Sequence, residues 1–203
     1  MTTEKSALLP PRSSDLDHLN WLRLAGLDNF QGKSLLDLGC GSGFICHKAM
    51  TEGATAAVGV DLVRPELAGA GDWEFKDLNL DGGDWHLGLS RKFDLILAFD
   101  ILEHLESPYR FLDCCHKSLS DTGQLVLTTP NLLSWERYYR PNDWSGVKDP
   151  QHKTLFTKYS LQFLLKKIGF SPDTVQAPMR SLAFLGPLQP QIGGQILCVA
   201  SSR

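Results

Sequence analysis

The segment DILEHL carries the side chains that are best suited to chemistry. Asp100, Glu103 and His104 stand at positions i, i+3 and i+4, so they share one face if the segment begins a helix. Because an imidazole titrates near neutral pH, His104 is the first candidate for a general base acting on a phenol or an alcohol. His152, which lies later in the chain, is the second candidate.

The same three side chains are compatible with two other interpretations. Their oxygen and nitrogen atoms can hold a divalent cation, which would lower the pKa of a bound hydroxyl and orient it. In a purely structural role, Glu103 pairs near a helix N-terminus and His104 hydrogen-bonds the backbone. We favour catalysis by His104, His152 and Glu103 without a resident metal, and keep Asp100, Glu103 and His104 as the alternative metal-binding set.

A glycine-rich turn follows an apolar run in the segment SLLDLGCGSGFICHKAM. Gly39, Gly41 and Gly43 let bare backbone approach a ligand at the carboxyl edge of a sheet, although three close glycines also suit a simple tight turn. The spacing is not the G-x-G-x-x-G of dinucleotide-binding turns, and no lysine followed by serine or threonine completes a P-loop. A ligand without a diphosphate therefore fits better.

Two later carboxylates indicate a nucleoside. Asp61 ends the apolar run AAVGVD, where its carboxylate can accept hydrogen bonds from both hydroxyls of a ribose. Asp77 ends WEFKD and precedes Leu78, a pair that can accept a hydrogen bond from an adenine amino group and pack its ring. Asp77 equally suits a turn or a helix cap.

Taken together, DLGCGSG, Asp61, the Asp77-Leu78 pair and FDLILAFDILEHL resemble class I S-adenosylmethionine-dependent methyltransferases. GQLVLTTPN, His152 and the LLKKIGF helix are similar to their small-molecule branch, which includes the ubiquinone-biosynthesis O-methyltransferases. The likeness covers roughly residues 31–170. In those enzymes a Glu-x-x-Glu-His pattern holds a metal, and here the first carboxylate is shortened to Asp100.

The resemblance implies an α/β fold, a Rossmann-like doubly wound sheet of seven mostly parallel strands with the last strand antiparallel and helices on both faces. S-adenosyl-L-methionine would lie across the carboxyl edge of that sheet. The residues that the resemblance assigns to the cofactor are Asp37, Gly39, Cys40, Gly41, Gly43, Asp61, Leu62, Asp77, Leu78, Phe99 and Asp100.

The elements that must position these residues alternate between strands and helices, which predicts a mostly parallel sheet. FDLILAFD is apolar on both strand faces and so belongs in mid-sheet. The connection between Leu62 and Trp73 is too short for a full crossover helix. The predicted strands are 34–38, 57–61, 73–78, 93–99, 123–129, 173–177 and 195–200, and the predicted helices are 14–27, 107–119 and 157–168.

Residues 131–156 are too long for an ordinary strand-to-helix connection and are predicted to form a substrate cap. This segment contains Trp135, Tyr138, Tyr139 and Trp144, with Arg137, Arg140 and Lys148 among them. Aromatic faces and a guanidinium suit a planar or anionic acceptor. The same residues suit a self-packed loop or an oligomer contact.

The composition fits one domain over residues 1–203. The net charge of −3 provides no basic field for nucleic acid or anionic membranes. Since the N-terminus lacks a secretory pattern, no apolar run is long enough to span a membrane, and five cysteines form no CxxC pair, we expect a cytoplasmic protein. A monomer and a homodimer are both compatible with the sequence.

The functional hypothesis is biosynthetic methyl transfer from S-adenosylmethionine to a small-molecule acceptor, at a hydroxyl oxygen. One alternative keeps the fold and places the methyl group on nitrogen, carbon or a sugar hydroxyl. Another is a non-catalytic module that binds the cofactor and regulates a partner protein. The retained acidic and histidine cluster favours the enzyme.

Overall fold

The structure is a computed structural model that describes residues 10–179 and 188–202. Its strands are β1 (Ser34–Leu38), β2 (Ala56–Asp61), β3 (Glu74–Asp77), β4 (Phe93–Phe99), β5 (Leu119–Pro130), β6 (Phe170–Gln176) and β7 (Gln195–Ser202). Its helices are α1 (Ser13–Ala25), α2 (Phe44–Thr51), α3 (Pro108–Ser118), α4 (Glu136–Tyr139), α5 (Ser145–Lys148) and α6 (Lys158–Ile168). None of these described helices is long and apolar enough to cross a bilayer.

The seven strands form one sheet in the order β3-β2-β1-β4-β5-β7-β6. β7 runs antiparallel to both of its neighbours, whereas the pairs β1–β2, β1–β4, β2–β3 and β4–β5 are parallel. The predicted doubly wound sheet with its last strand antiparallel is confirmed. In parallel strands the carboxyl ends meet at one edge, so β1, β2 and β4 deliver the residues that follow them to the same place.

The centre of the sheet is fixed by strands that are apolar on both faces, as β4 illustrates. Ile96 and Ala98 pack in one hydrophobic layer with residues of α3 and α6. Leu97 and Phe99 pack in the other layer with residues of α1 and α2. Burial of each large apolar side chain contributes about 1.5–3 kcal/mol, so these layers hold the strand ends in position.

Local sequence signals were sufficient to predict α6 and the short connection after β2. α6 begins after Thr157, whose hydroxyl accepts a hydrogen bond from the Ser160 N–H at 3.0 Å, and it ends at Gly169. Residues 62–72 form turns without a helix, as their length predicted. β6 begins three residues earlier than predicted, at Phe170, because Phe170 pairs with Ser202 of β7.

The expectation that DILEHL begins a helix was wrong. Asp100 has a φ of 51°, in the left-handed region that non-glycine residues rarely occupy, and only a 3-10 turn, Leu102–His104, follows. Thr128 of the neighbouring β5 holds this conformation. Its hydroxyl accepts from the Asp100 N–H at 3.2 Å and donates to Asp100 Oδ1 at 3.0 Å. The interstrand contact therefore prevails over the helical spacing.

Candidate active site

The first of three adjoining cavities lies between the glycine turn and the ends of β2 and β3. We call it the glycine-turn cleft; its volume is about 290 Å³. Gly39 has a φ of 77°, and a Cβ at this position would collide with the Ile101 side chain that forms the opposite wall. Its lining residues are Gly39, Asp61, Leu62, Leu78, Asn79, Leu80, Asp81, Ile101, His104, Leu105 and Lys153.

Asp61 organises the turn and retains capacity to bind a ligand. One carboxylate oxygen accepts from the Gly41 N–H at 3.0 Å, and the other accepts from the Val63 N–H at 3.2 Å. Each carboxylate oxygen has a second lone pair, so Asp61 can still accept from two hydroxyls. Lys153, the basic residue among the described lining residues, is within ion-pair distance of Glu106 (2.9 Å) and Asp81 (3.5 Å).

These features fit S-adenosylmethionine, the cofactor of the implied fold. Its adenosine needs a hydrogen-bond acceptor at the ribose and apolar walls at the base, which Asp61, Leu78 and Ile101 supply at the cleft. Its sulfonium and ammonium charges are favoured near carboxylates. Asp37 and Asp100, at the ends of β1 and β4, provide such carboxylates beside the glycine turn.

Asp37 is buried at the end of β1, with 5% of its surface exposed. Burial, followed by the negative charges of Asp15 and Asp61, raises the pKa of its carboxyl from 3.8 to about 7. An acid that holds its proton more tightly when folded stabilises the fold most at low pH. Its contribution falls as the pH rises from about 4 through 7, because the buried carboxylate must then exist without a cation.

Replacing Asp37 by asparagine is therefore expected to stabilise the cofactor-free protein at high pH. One pKa unit corresponds to 1.36 kcal/mol, so the free energy of unfolding should rise by about 2–4 kcal/mol at pH 8 and change little near pH 4. Urea unfolding at both pH values measures the difference. Asp121→Asn, at an exposed carboxyl, should change neither value, and a less stable Asp37 variant at pH 8 would contradict the argument.

The second cavity, which we call the histidine cavity, has a volume of about 490 Å³ and contains the predicted catalytic side chains. The ring centroids of His104 and His152 lie 4.7 Å apart, with an interplanar angle of 64°. Ligand atoms of Glu103, His104 and His152 all lie within 4.8 Å of one another. The lining residues are Asp100, Glu103, His104, Pro130, Ser145, Lys148, Asp149, Pro150, His152 and Gln195.

Backbone contacts bring His152 to this cavity from the segment after β5. The N–H groups of Lys153 and Thr154 both donate to the Glu103 carbonyl, at 2.8 and 3.2 Å. His152 Nδ1 lies 3.1 Å from the carbonyl oxygen of Gly146. Because a carbonyl only accepts, Nδ1 carries the proton in this contact, and Nε2 is the nitrogen left to act as a base.

Glu103 is 1% exposed, and its Oε2 accepts from the Thr129 hydroxyl at 2.9 Å. Burial, followed by the charge of Asp100, raises the pKa of Glu103 to about 8. Glu103 is thus a neutral acid at pH 7 unless a positive charge lies beside it. An imidazolium formed at His104 or His152 would supply that charge.

The third cavity, the aromatic pocket, has a volume of about 330 Å³ and lies between α1, α4 and the chain before β7. Its lining residues are Trp21, Trp135, Glu136, Tyr139, Ser145, Pro178, Met179, Ile192, Gly193, Gly194 and Gln195. Neighbouring cavities share lining residues. His104 lines the first two, and Ser145 and Gln195 line the last two.

Two of the four predicted aromatic substrate residues, Trp135 and Tyr139, line the aromatic pocket. Tyr138 is 68% exposed, and its hydroxyl accepts from Arg137 at 2.8 Å. Trp144 is 4% exposed because its ring packs over Gly146. Neither Tyr138 nor Trp144 is among the lining residues of these three cavities, and their contact with the substrate stays a prediction.

The cofactor residues that the resemblance assigned are spread around the glycine turn. Phe99 is buried and stacks on His18 of α1, with 4.7 Å between ring centroids. Cys40 is buried, and its thiol pKa is raised by burial, which makes it unreactive. Asp77 lies beside Asp61 in the β2–β3 register but outside the cleft lining.

Sequence reasoning missed Trp21, Glu136 and Gln195 as lining residues and Thr129 as the partner of Glu103. A signal existed for Thr129, because it stands near the end of a predicted strand, at the edge where the candidate catalytic residues were expected. Nothing local distinguishes Glu136 from a solvent-exposed acid.

A protein-family model described as a methyltransferase domain matches residues 16–175. A ubiquinone biosynthesis O-methyltransferase from Pseudomonas syringae is 28% identical over 57% of this chain and 53% of its own length. A tRNA U34 carboxymethyltransferase from Methylococcus capsulatus is 32% identical over 55% of this chain and 36% of its own length. The chain thus spans about half, or less, of the curated relatives that it matches.

Solved structures share the fold. An S-adenosylmethionine-dependent methyltransferase from Mesorhizobium loti superposes with a TM-score of 0.65 at 24% identity, covering 88% of this chain and 94% of that one. A second, from Archaeoglobus fulgidus, has a TM-score of 0.67 at 18% identity, covering 91% and 94%. At these identities the likeness concerns the arrangement of strands and helices.

Proposed function

We propose that this chain, which belongs to the family of methyltransferase domains and has the fold of class I S-adenosylmethionine-dependent methyltransferases, methylates a hydroxyl oxygen of a small molecule. The observation that carries the proposal is the position of His104. It lines both the glycine-turn cleft, where the cofactor fits, and the histidine cavity. A base at that junction can reach an acceptor hydroxyl placed against the methyl donor.

The cofactor and the residues around it have separate roles in this reaction. When bound, S-adenosylmethionine supplies an electrophilic methyl group on a sulfonium. Asp61 would hold the ribose hydroxyls, and Leu78 and Ile101 would pack against the base, which would fix the donor in one orientation. His104 would accept the proton of an acceptor hydroxyl that faces this methyl group, so that the oxygen is free to take up the methyl group.

His152 and Glu103 support His104. The edge-on contact between the two rings limits the orientations open to His104, and His152 Nε2 can accept the proton in its place. An imidazolium beside Glu103 would lower the pKa of that carboxyl, so Glu103 would release its own proton to the solvent of the histidine cavity and become the counter-ion. The pair therefore stabilises the proton after transfer.

A cation-assisted version uses a different ligand set from the one that the sequence suggested. Among the described residues, the group close enough to hold an ion consists of Glu103, His104 and His152, without Asp100. Two imidazoles and one carboxylate suit Zn²⁺ or another transition metal better than Mg²⁺, which prefers oxygen ligands. We favour the metal-free version because an imidazole can accept a hydroxyl proton near neutral pH without a metal.

Chelation is expected to leave turnover unchanged. After dialysis against EDTA, the rate of methyl transfer should stay within about twofold of the untreated rate, because His104 removes the proton without a metal. Added Mg²⁺, Mn²⁺ or Zn²⁺ should not increase it. Loss of activity on chelation, restored by one of these ions, would favour the cation-assisted version.

The acceptor atom is tested by incubation with methyl-labelled cofactor and a panel of phenols, catechols, amines and glycosides. We expect label on oxygen acceptors, and label on amines alone would move the reaction to nitrogen. Absent turnover with intact cofactor binding would favour a regulatory module. Transfer RNA belongs in the same panel, because some relatives are named for tRNA; the net charge of −3 argues against it.

A further inference from the structure

The aromatic pocket carries a charge that the proposed chemistry does not use. Three rings, Trp21, Trp135 and Tyr139, line it, and Glu136 is the charged member among its described lining residues. Glu136 is half-buried, and its carboxylate makes no ion pair with another described residue. A carboxylate without an ion-pair partner is available to a cation that enters the pocket.

The Glu136 carboxylate lies close to the backbone at Gly194. A Cβ added at Gly194 would lie 3.3 and 3.4 Å from the two Glu136 oxygens, so the glycine leaves the space that the carboxylate needs. Gly194 is itself fixed, because its carbonyl accepts from the Asn131 N–H at 2.9 Å and from the Ser145 hydroxyl at 3.2 Å. Glu136 therefore lies above a rigid floor.

The rings form a wall around that charge. The Trp135 ring centroid lies 5.9 Å from that of Tyr139. The backbone N–H of Trp135 donates to the Ile192 carbonyl at 2.9 Å. Trp21 is 5% exposed and forms part of the wall from α1. Aromatic faces attract cations through their quadrupoles, and this attraction adds to that of the carboxylate.

No ion pair joins Glu136 to the described basic residues of the segment, of which Lys148 lies 3.6 Å from Asp143. Arg137 donates to the Leu132 carbonyl and to the Tyr138 hydroxyl, at 3.0 and 2.8 Å. Arg140 pairs with Asp143 at 2.6 Å. The sequence left a planar and an anionic acceptor open, and the charged lining residue of the pocket as described is the acidic Glu136.

We propose that the aromatic pocket binds a protonated amine on the acceptor molecule, with Glu136 as counter-ion and the three rings as its walls. The inference rests on the proposed function, because it treats this pocket as part of the acceptor site. Ser145 and Gln195 line both this pocket and the histidine cavity, so the two cavities adjoin, and the acceptor would place its ammonium against Glu136 and its hydroxyl near His104. The acceptor class is then a hydroxylated aromatic amine.

Three probes that differ only in the end of a two-carbon arm test this inference: tyramine, 4-ethylphenol and 3-(4-hydroxyphenyl)propionate. Their dissociation constants are measured by calorimetry on the full chain saturated with S-adenosylhomocysteine. We expect tyramine to bind at least about tenfold more tightly than the propionate. Glu136→Gln should reduce that preference to below about threefold, and Glu52→Gln, an exposed control on the far end of α2, should retain it.

Equal binding of the three probes, or tighter binding of the propionate, would overturn the inference. So would a preference that survives Glu136→Gln, or no saturable binding of tyramine up to about 10 mM. The affinity for S-adenosylhomocysteine, measured first, distinguishes failure of the amine inference from failure of the proposed methyl transfer. If it is intact in the native protein and in Glu136→Gln, failure of the amine preference leaves the proposed methyl transfer standing, and if it is absent, the proposed function fails.

Discussion

Replacing His104 by alanine is expected to lower kcat by about 10²-fold or more, while the affinity for S-adenosylhomocysteine changes by less than about threefold. The asymmetry follows from the position of His104 at the rim of the glycine-turn cleft. Asp61, Leu78 and Ile101 retain their contacts in the variant, whereas the acceptor loses its nearest base. Steady-state kinetics with a methylated phenol as product, together with calorimetry, measures both quantities.

His152 gives this prediction a second test. If the two imidazoles act as a unit, kcat of the double variant His104→Ala/His152→Ala should be close to that of the slower single variant. The effects of residues that serve one step do not add. His86→Ala, in the 3-10 turn Trp85–Gly88 away from the three cavities, is the matched control and should keep its kcat. An unchanged rate in His104→Ala would assign the base to His152.

Replacing Asp61 by asparagine is expected to raise the dissociation constant for S-adenosylmethionine and S-adenosylhomocysteine by about 10–100-fold. Hydrogen bonds to a charged group contribute about 1.5–3 kcal/mol, and 1.4 kcal/mol corresponds to a factor of ten. The amide also presents a donor toward a ribose hydroxyl or the Gly41 N–H, which already donates to Oδ2. Calorimetry with both ligands measures the loss.

The control for Asp61 is Asp72→Asn, which removes an exposed carboxylate of the same segment at no cavity of the site. Its affinity for both ligands should equal that of the native protein. Unchanged binding by Asp61→Asn would contradict the assignment of the ribose to this residue. Asp77→Asn should have a smaller effect than Asp61→Asn, because Asp77 lies outside the cleft lining.

The central sheet was predictable because its signals are local. β1 and β4 have the predicted bounds, 34–38 and 93–99, since runs that are apolar on both faces favour only buried strands. The glycine turn between β1 and α2 was predictable for the same reason. Its backbone requires glycine at Gly39, where a side chain would collide with Ile101.

The active-site geometry was less predictable, because it depends on contacts between distant residues. Asp100 takes its left-handed conformation through Thr128, 28 residues away, which no spacing rule detects. His152 reaches His104 because the chain after it is hydrogen-bonded to the Glu103 carbonyl. The side chains were identified from their types, but the turn and the backbone contacts that assemble them were not.

The segment between β5 and α6 shows the same limit at its aromatic residues. Trp144 and Trp135 have similar polar surroundings in the sequence, yet Trp144 is 4% exposed and Trp135 is 49% exposed. Gly146 decides the difference, since the Trp144 ring occupies the space that a Cβ at Gly146 would need. Packing determines which rings face a cavity, and the composition of the segment alone does not distinguish these rings from the buried ones.

The cofactor cleft, on which every other assignment depends, is tested most directly by isothermal titration of the native protein with S-adenosylmethionine and S-adenosylhomocysteine. We predict saturable binding of both at one site per chain, with dissociation constants in the micromolar range that is usual for such ligands. Absence of binding by either ligand would contradict the assignment of the glycine turn, Asp61 and Leu78 to the cofactor.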